Sequence, residues 1–321
     1  MKEPATIHRL EGLEPDNLLG FMALLGLLRA LETTTPPWRP RASWDLECAP
    51  LRPRLHIVGC PSKTDVCEAA AAGVTALAQV HEFGGRQDLN WARREARDLL
   101  EATVFSGRDR ADLFAALVSD AAVKEDKDQV EATPFCLLFG QGHQHFLDRF
   151  AQVPKTVAPP PRGRGRNAVV LDATECLEEA LFTPWQRRDE TFAFRWDPAE
   201  DVRYALMADD PSSQRTTTQH GANRLAAIGL PVLTVAPVAR AGGRVRLMAL
   251  GGSDRMPFSF AWPIWRGPAS LSAIRAMLAH PDLRTPNGLA HLGVDRVVEA
   301  TRLSVGKFMN FGPARPITVE N

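Results

Sequence analysis

The chain of 321 residues has no uninterrupted apolar run near the roughly 20 residues that cross a bilayer; its longest, residues 18–28, stops at Arg29. A membrane-spanning helix is therefore not expected. The opening Met1-Lys2-Glu3-Pro4 lacks a basic stretch followed by an apolar region and a cleavage site, so the expectation is no secretory signal and a cytoplasmic location. Cysteine is sparse and odd in number: Cys48, Cys60, Cys67, Cys136 and Cys176 form no CxxC pair. Neither a disulfide framework nor a zinc knuckle follows, and buried small hydrophobes are the expected role. Several catalytic signatures are also missing. GxxxxGK[ST], a GxGxxG between strand and helix, GxSxG and HExxH do not occur, and Gly163-Arg164-Gly165 lies in a proline-rich stretch. Nucleotide hydrolysis, dinucleotide binding and hydrolase or zincin chemistry are not expected.

What is present is an ordinary globular composition, 45% hydrophobic and 24% charged, with length for roughly two domains or one large one. Net charge is zero, from 38 basic and 38 acidic residues, yet the charge is segregated. Residues 1–148 hold 16 basic and 22 acidic side chains, 149–210 hold 9 and 11, and 211–321 hold 13 and 5. No acid lies between Asp210 and Asp254, or from Arg149 to Leu171. Arginine outnumbers lysine 32 to 6, which suits bidentate phosphate contacts. A GC-rich coding bias accounts for that ratio but not for the segregation.

The pattern along the chain predicts an α+β fold, with a helix-rich half at residues 1–157 and a mixed half with antiparallel strands at 167–321. A proline- and arginine-rich linker or loop at 158–166 separates them. The first half reads as a strand at 6–10, strands at 41–46 and 54–58, and helices at 64–81, 89–103, 109–123 and 146–150. It also holds a buried helix from Asp16 or Asn17, with Leu18, Leu19, Met22, Leu25 and Leu28 at helical spacing. Gly20 and Gly26 inside that helix imply close packing on a sheet or a neighbouring backbone. The second half reads as helices at 174–181, 221–228 and 270–280, a hairpin of 233–238 with 244–250, and strands at 258–262 and 301–311.

Candidate chemistry is mostly cationic. Arg162, Arg164 and Arg166, with Lys155 upstream, sit on a glycine-broken stretch that could follow a nucleic-acid backbone; a merely soluble linker is the plain alternative. Arg215, Gln219, Asn223 and Arg224 form a polar loop entering a helix whose N-terminus could dock on phosphate. Lys307 adds a further cation. Trp262, Trp265 and Phe260 could stack on bases, but their alternation favours a half-buried strand end. His143 and His145 would share a face on a strand and could serve acid–base chemistry on RNA or hold a metal. Only Asp148 is near enough in sequence to complete a ligand set, so contacts to backbone or a partner are expected, with no metal and no cofactor. Asp120 with Glu125-Asp126-Lys127 has nuclease residue types, but not the spacing of acids drawn from separate strands.

Several stretches carry a resemblance together: LEGLEPDNLLGFMALLGLLRAL (10–31), FGQGHQHF (139–146), DPAEDVRY (197–204) with GANRL (221–225), FAWPIW (260–265) and GKFMNF (306–311). The chain resembles CRISPR-associated proteins of the type I-G (formerly I-U) systems, their large-subunit-like or accessory and helicase-extension members. The resemblance implies a non-catalytic nucleic-acid-binding subunit of a CRISPR-RNA-guided antiviral effector complex. Its partners would be CRISPR RNA and/or target DNA, together with other effector subunits or the helicase-nuclease, and no membrane. In such complexes base pairing reads the target while protein holds the backbone. Two other roles stay open: a metal-independent RNA-processing endonuclease of the RAMP kind using His143 or His145, and a protein–protein adaptor to the helicase-nuclease.

Overall fold

The computed structural model describes residues 4–124, 127–141, 144–200, 217–239, 243, 245–305 and 308–317. In chain order its elements are β1 (Ala5–Arg9), α1 (Leu18–Thr34), β2 (Arg41–Trp44), β3 (Pro53–Val58), α2 (Lys63–Ala78), α3 (Arg93–Ser106), α4 (Arg108–Leu117), β4 (Phe139–Gln141), β5 (Gln144–His145) and α5 (Phe146–Gln152). They continue with α6 (Ala173–Phe182), β6 (Asp189–Glu190), β7 (Thr217–Thr218), α7 (His220–Gly229), β8 (Val235–Ala239), β9 (Val245–Ala249), β10 (Ser259–Trp265), α8 (Leu271–Leu278), β11 (Val294–Val305), β12 (Phe308–Phe311) and β13 (Arg315–Pro316). The strands pair antiparallel throughout, and the fold is α+β. Among the described residues no helix is long and apolar enough to cross a membrane.

Helix α1 is the centre of the molecule. Asn17, rather than Asp16, caps it: the Asn17 side-chain oxygen accepts from the Gly20 amide, and its amide donates to Asp197 at 3.0 Å. Every residue from Leu18 to Leu31 is buried, which is why its sequence is apolar almost all round rather than on one stripe. The single charge in that run, Arg29, donates to the Ile228 carbonyl at 3.0 Å and pairs with Asp109 at 2.8 Å. Past the buried stretch, Thr33, Thr34 and Thr35 turn their hydroxyls back onto carbonyls four residues earlier, and Pro36 and Pro37 follow.

Glycines let the neighbouring helices reach α1 at backbone distance. A Cβ on Gly26 would lie 1.8 Å from the Leu225 carbonyl oxygen of α7, and one on Gly229 of α7 would lie 2.2 Å from that of Met22. On the other side a Cβ on Gly73 of α2 would lie 2.4 Å from the Ala30 carbonyl oxygen, and one on Gly221 of α7 would lie 2.3 Å from that of Cys176 in α6. Gly20 has a different reason: its close neighbours are Glu14 and Asn17 of the turn that precedes the helix.

Two sheets share the core with α1. β1, β3 and β2 form one sheet with β3 central, and Leu55 and Ile57 point inward from it at period two. β10, β11 and β12 form a second sheet, which β13 joins at β11. Strand β10 is buried along its whole length rather than half-buried, and Trp262 stacks on Phe21 of α1 with centroids 5.2 Å apart. The indole N–H of Trp262 donates to the Pro15 carbonyl and that of Trp265 to the Ala42 carbonyl. Pro263 is tolerated because β10 lies at the end of its sheet.

One continuous core runs from Leu10 to Ala314, with residues from both sides of the 158–166 loop, and α1 packs directly on α7. Two expectations are corrected. The final strand at 301–311 is two antiparallel strands, β11 and β12, whose register sets Val305 opposite Phe308. Cys67, Cys136 and Cys176 are buried as expected, with burial pushing each thiol up to about 12, but Cys48 and Cys60 are exposed.

Replacing Gly26 by alanine forces two helix backbones apart and should lower unfolding free energy by about 3 kcal/mol or more. Gly267 has open space around its Cβ position, so Gly267→Ala should leave the urea midpoint unchanged, and equal midpoints for both variants would refute the close-approach account.

Candidate nucleic-acid interface

The arginine-rich stretch is a defined loop. Arg162 and Val169 exchange both backbone hydrogen bonds at 2.9 Å, closing the chain between them into a tight excursion. Gly163 and Gly165, at φ of +84° and +67°, supply the left-handed conformations that bend it. The Arg162 side chain points inward: it grips the carboxylate of Glu179 with two parallel bonds at 3.0 and 2.8 Å and reaches Asp189, which is 1% exposed. These carboxylates hold its guanidinium above its already high ordinary pKa. Arg162 is thus the staple of the loop, not a free phosphate ligand. Arg164 and Arg166 are exposed at its tip, followed by exposed Val169 and Val170.

The other expected contacts divide in the same way. Lys155 is exposed and pairs with Glu82. Asn223 and Arg224 are fully buried on α7, which corrects the reading of that helix as a phosphate-docking terminus. Arg224 donates to the carbonyls of Pro154 and Val157, and burial pulls its pKa down to about 10. Asn223 donates to the Thr218 hydroxyl and the Gln219 carbonyl. Arg215, Lys307 and His143 lie outside the described residues. His145 Nδ1 lies 3.0 Å from Asp88 Oδ2, and both side chains are partly exposed. Asp120, the anchor of the acidic run, pairs with Arg97, while Glu125 and Asp126 lie outside the described residues. Among the described residues no three His, Cys, Asp or Glu side chains gather as a metal site requires.

Two buried acids, Asp197 and Glu200, each gather their own polar partners. Asp197 binds the Arg187 guanidinium at 2.6 Å and the Asn17 amide. Three residues on, Glu200 accepts from the Arg195 backbone N–H at 2.9 Å and from the Thr218 hydroxyl at 3.2 Å. Burial, reinforced by the nearby Asp197 charge, pushes the Glu200 carboxyl from 4.5 up to about 8.

A cationic surface that no single motif announced lies between the β8–β9 hairpin and the β10–β11 sheet. A cleft of about 930 Å³ is lined by Arg255, Arg284 and Arg315, with Asp254 and Glu299. It adjoins a smaller cavity of about 220 Å³ through shared Met248, Ser253, Asp254 and Arg255; the cavity adds Lys124, Arg246 and Arg302, with Glu131. Two of the acids are engaged: Glu299 binds Arg284 at 3.0 Å and the Ser259 hydroxyl, and Glu131 accepts from the Leu247 amide. Lys124, Arg246, Arg255 and Arg315 make no side-chain hydrogen bond or ion pair among the described residues. The only signal for this surface in the sequence was the basic excess of residues 211–321. Some cations of that region are engaged elsewhere: Arg266 and Arg296 share Asp295, and Arg275 donates to the Thr234 hydroxyl.

No protein-family model matches the chain, and neither a curated protein nor a solved structure matches it.

Truncating Arg162 leaves Asp189 buried without its cation, while the partly exposed Glu179 is screened by water. Arg162→Ala should therefore destabilise toward the low end of the ~3–5 kcal/mol typical of a broken buried pair. Arg164→Ala and Arg166→Ala should stay within about 0.5 kcal/mol of wild type. Chemical denaturation of the three variants decides between staple and surface. For Glu200 the folded pKa is raised, so the folded state binds more protons than the unfolded one between pH 4.5 and about 8. Its contribution to stability falls as pH rises through that window. Glu200→Gln should flatten this fall when unfolding free energy is measured at stepped pH; an unchanged profile would refute the neutral buried carboxyl.

Proposed function

We propose that this chain is a non-catalytic nucleic-acid-binding subunit or accessory factor of a CRISPR-RNA-guided, type I-G-like effector complex. The observation that carries the polyanion part of this reading is the cleft beside β9. Lys124, Arg246, Arg255 and Arg315 line it and its adjoining cavity and make no side-chain hydrogen bond or ion pair among the described residues. Cations left unneutralised in a concave surface raise the local potential and favour a phosphate backbone. The arginine-tipped loop, with Arg164 and Arg166 in water, offers a second set of contacts. The assignment to CRISPR effectors rests on the resemblance of residues 10–31, 139–146, 197–204, 221–225, 260–265 and 306–311.

One observation favours a second reading. The His145–Asp88 pair at 3.0 Å orients an accessible imidazole as acid–base catalysis on RNA requires. Cleavage of CRISPR repeat RNA in EDTA by wild type but not by His145→Ala would replace the binding-only role with the endonuclease one.

Binding of single-stranded RNA and DNA should weaken steeply with salt. A variant carrying Arg246→Ala, Arg255→Ala and Arg315→Ala should show a log–log salt slope shallower by about 0.7 for each single-strand phosphate that it no longer neutralises. Fluorescence anisotropy at graded salt measures this, and a slope identical to wild type would remove the cleft from the interface. Co-purification with tagged products of the neighbouring genes tests the effector assignment separately.

A further inference from the structure

The small cavity at the end of the cleft has features that phosphate binding does not require. Its walls include Phe258, Phe139, Met248 and Met256, while Thr133 and Arg302 supply polar groups. Phe258 is buried, and Phe139 is 45% exposed. Aromatic rings with thioethers make a surface suited to the flat face of a heteroaromatic ring rather than to a phosphate.

Thr133 supplies the independent pointer. Its side chain is 1% exposed, and its hydroxyl oxygen is buried with no hydrogen-bond partner. Its backbone is fully used, its amide donating to Leu117 and its carbonyl accepting from Cys136. A buried hydroxyl without a partner is unfavourable, and because Thr133 lines the cavity a rotation of its side chain would bring that hydroxyl to what enters. Arg302 presents a matching group. One of its nitrogens donates to the Pro134 carbonyl at 3.4 Å, and its guanidinium lies over the Phe258 ring at 5.8 Å. Burial first, and the nearby Arg246 charge as well, pull its pKa below the usual range. An electron-rich acceptor edge would relieve that pairing of like charges.

Size selects the occupant. At about 220 Å³ the cavity falls below the roughly 300–1,000 Å³ of pockets that enclose a whole drug-sized ligand. It suits one planar ring system, while the contiguous cleft of about 930 Å³ has room and charge for the chain attached to it.

We infer that this cavity takes a single unstacked nucleobase of a single-stranded nucleic acid. The base ring lies against the Phe139–Phe258 wall, its acceptor and donor edge meets Arg302 and the Thr133 hydroxyl, and its flanking phosphates rest on Arg246, Arg255 and Lys124. The inference rests on the nucleic-acid-binding reading above and adds base contact to it.

The test compares a fluorescein-labelled single-stranded oligodeoxynucleotide with a chain of equal length made entirely of abasic sites, and with the RNA of the same sequence, all on the full-length protein. Wild type should bind the base-bearing DNA at least about fivefold more tightly than the abasic chain, the loss expected from one base–aromatic stack. Thr133→Val keeps the side-chain volume and removes an unsatisfied hydroxyl. It should fold with equal or higher stability yet bind the base-bearing strand several-fold more weakly, with abasic binding unchanged. Phe139→Ala, at a solvent-exposed position, should have the same selective effect. A preference of the RNA over the DNA would assign the natural strand. Equal affinity for base-bearing and abasic chains would overturn the base pocket and leave the backbone-binding reading intact. No binding of any chain at low salt would overturn both.

Discussion

The fold depends on backbone-to-backbone approach at one helix. α1 is buried along fourteen consecutive residues, Leu18 to Leu31, and cannot be shielded by side chains on every side. Glycine at Gly26, Gly73 and Gly229 lets α7 and α2 lie against it with carbonyls where a Cβ would otherwise be. Dispersion falls off within an ångström of optimal separation, so this approach gains attraction that longer side chains would forfeit by holding the helices apart. The consequence reaches across the sequence. Because α7 is locked onto α1, residues from both sides of the 158–166 loop share one core.

Drawing irregular segments into a core leaves their carbonyls without the ladder partners that helices and sheets provide. Arginine supplies those partners repeatedly. Arg224 holds the carbonyls of Pro154 and Val157, Arg284 that of Gly252, Arg149 that of Ala193, and Arg302 that of Pro134. A guanidinium has five donors in a rigid fork and can satisfy several acceptors at once, which an ammonium on a flexible stem does less well. Much of the arginine excess is therefore structural, and positive charge in the sequence overstates positive charge on the surface.

The sequence made local structure legible where a short-range signal decides it. The helical spacing of Leu18 to Leu28 and the hairpin signal at 233–250 give elements close to those observed. The close approach at Gly26 was legible for the same reason: a glycine inside a strongly apolar helix needs a neighbour. Partners distant in sequence were not legible. Nothing near Arg162 shows that Glu179 and Asp189 will meet it, and an acid-free window is no guide when the neutralising carboxylate arrives from another element. The same limit hid the cleft, whose lining comes from residues 124 to 317.

The arginines named above thus fall into two populations, separated by what the fold places beside each one. Those facing carbonyls or carboxylates hold the structure together, while Arg246, Arg255 and Arg315 around the cleft make no side-chain hydrogen bond or ion pair among the described residues. Arg302 belongs to both. Its bond to the Pro134 carbonyl and its place over the Phe258 ring fix the guanidinium plane, and its remaining donors are left for the cavity that it lines. A cation held in this way loses little rotamer freedom when a ligand arrives, whereas a free surface arginine must be ordered at binding. Orientation fixed by the fold, rather than the amount of charge, is what would allow a molecule of zero net charge to discriminate among polyanionic ligands.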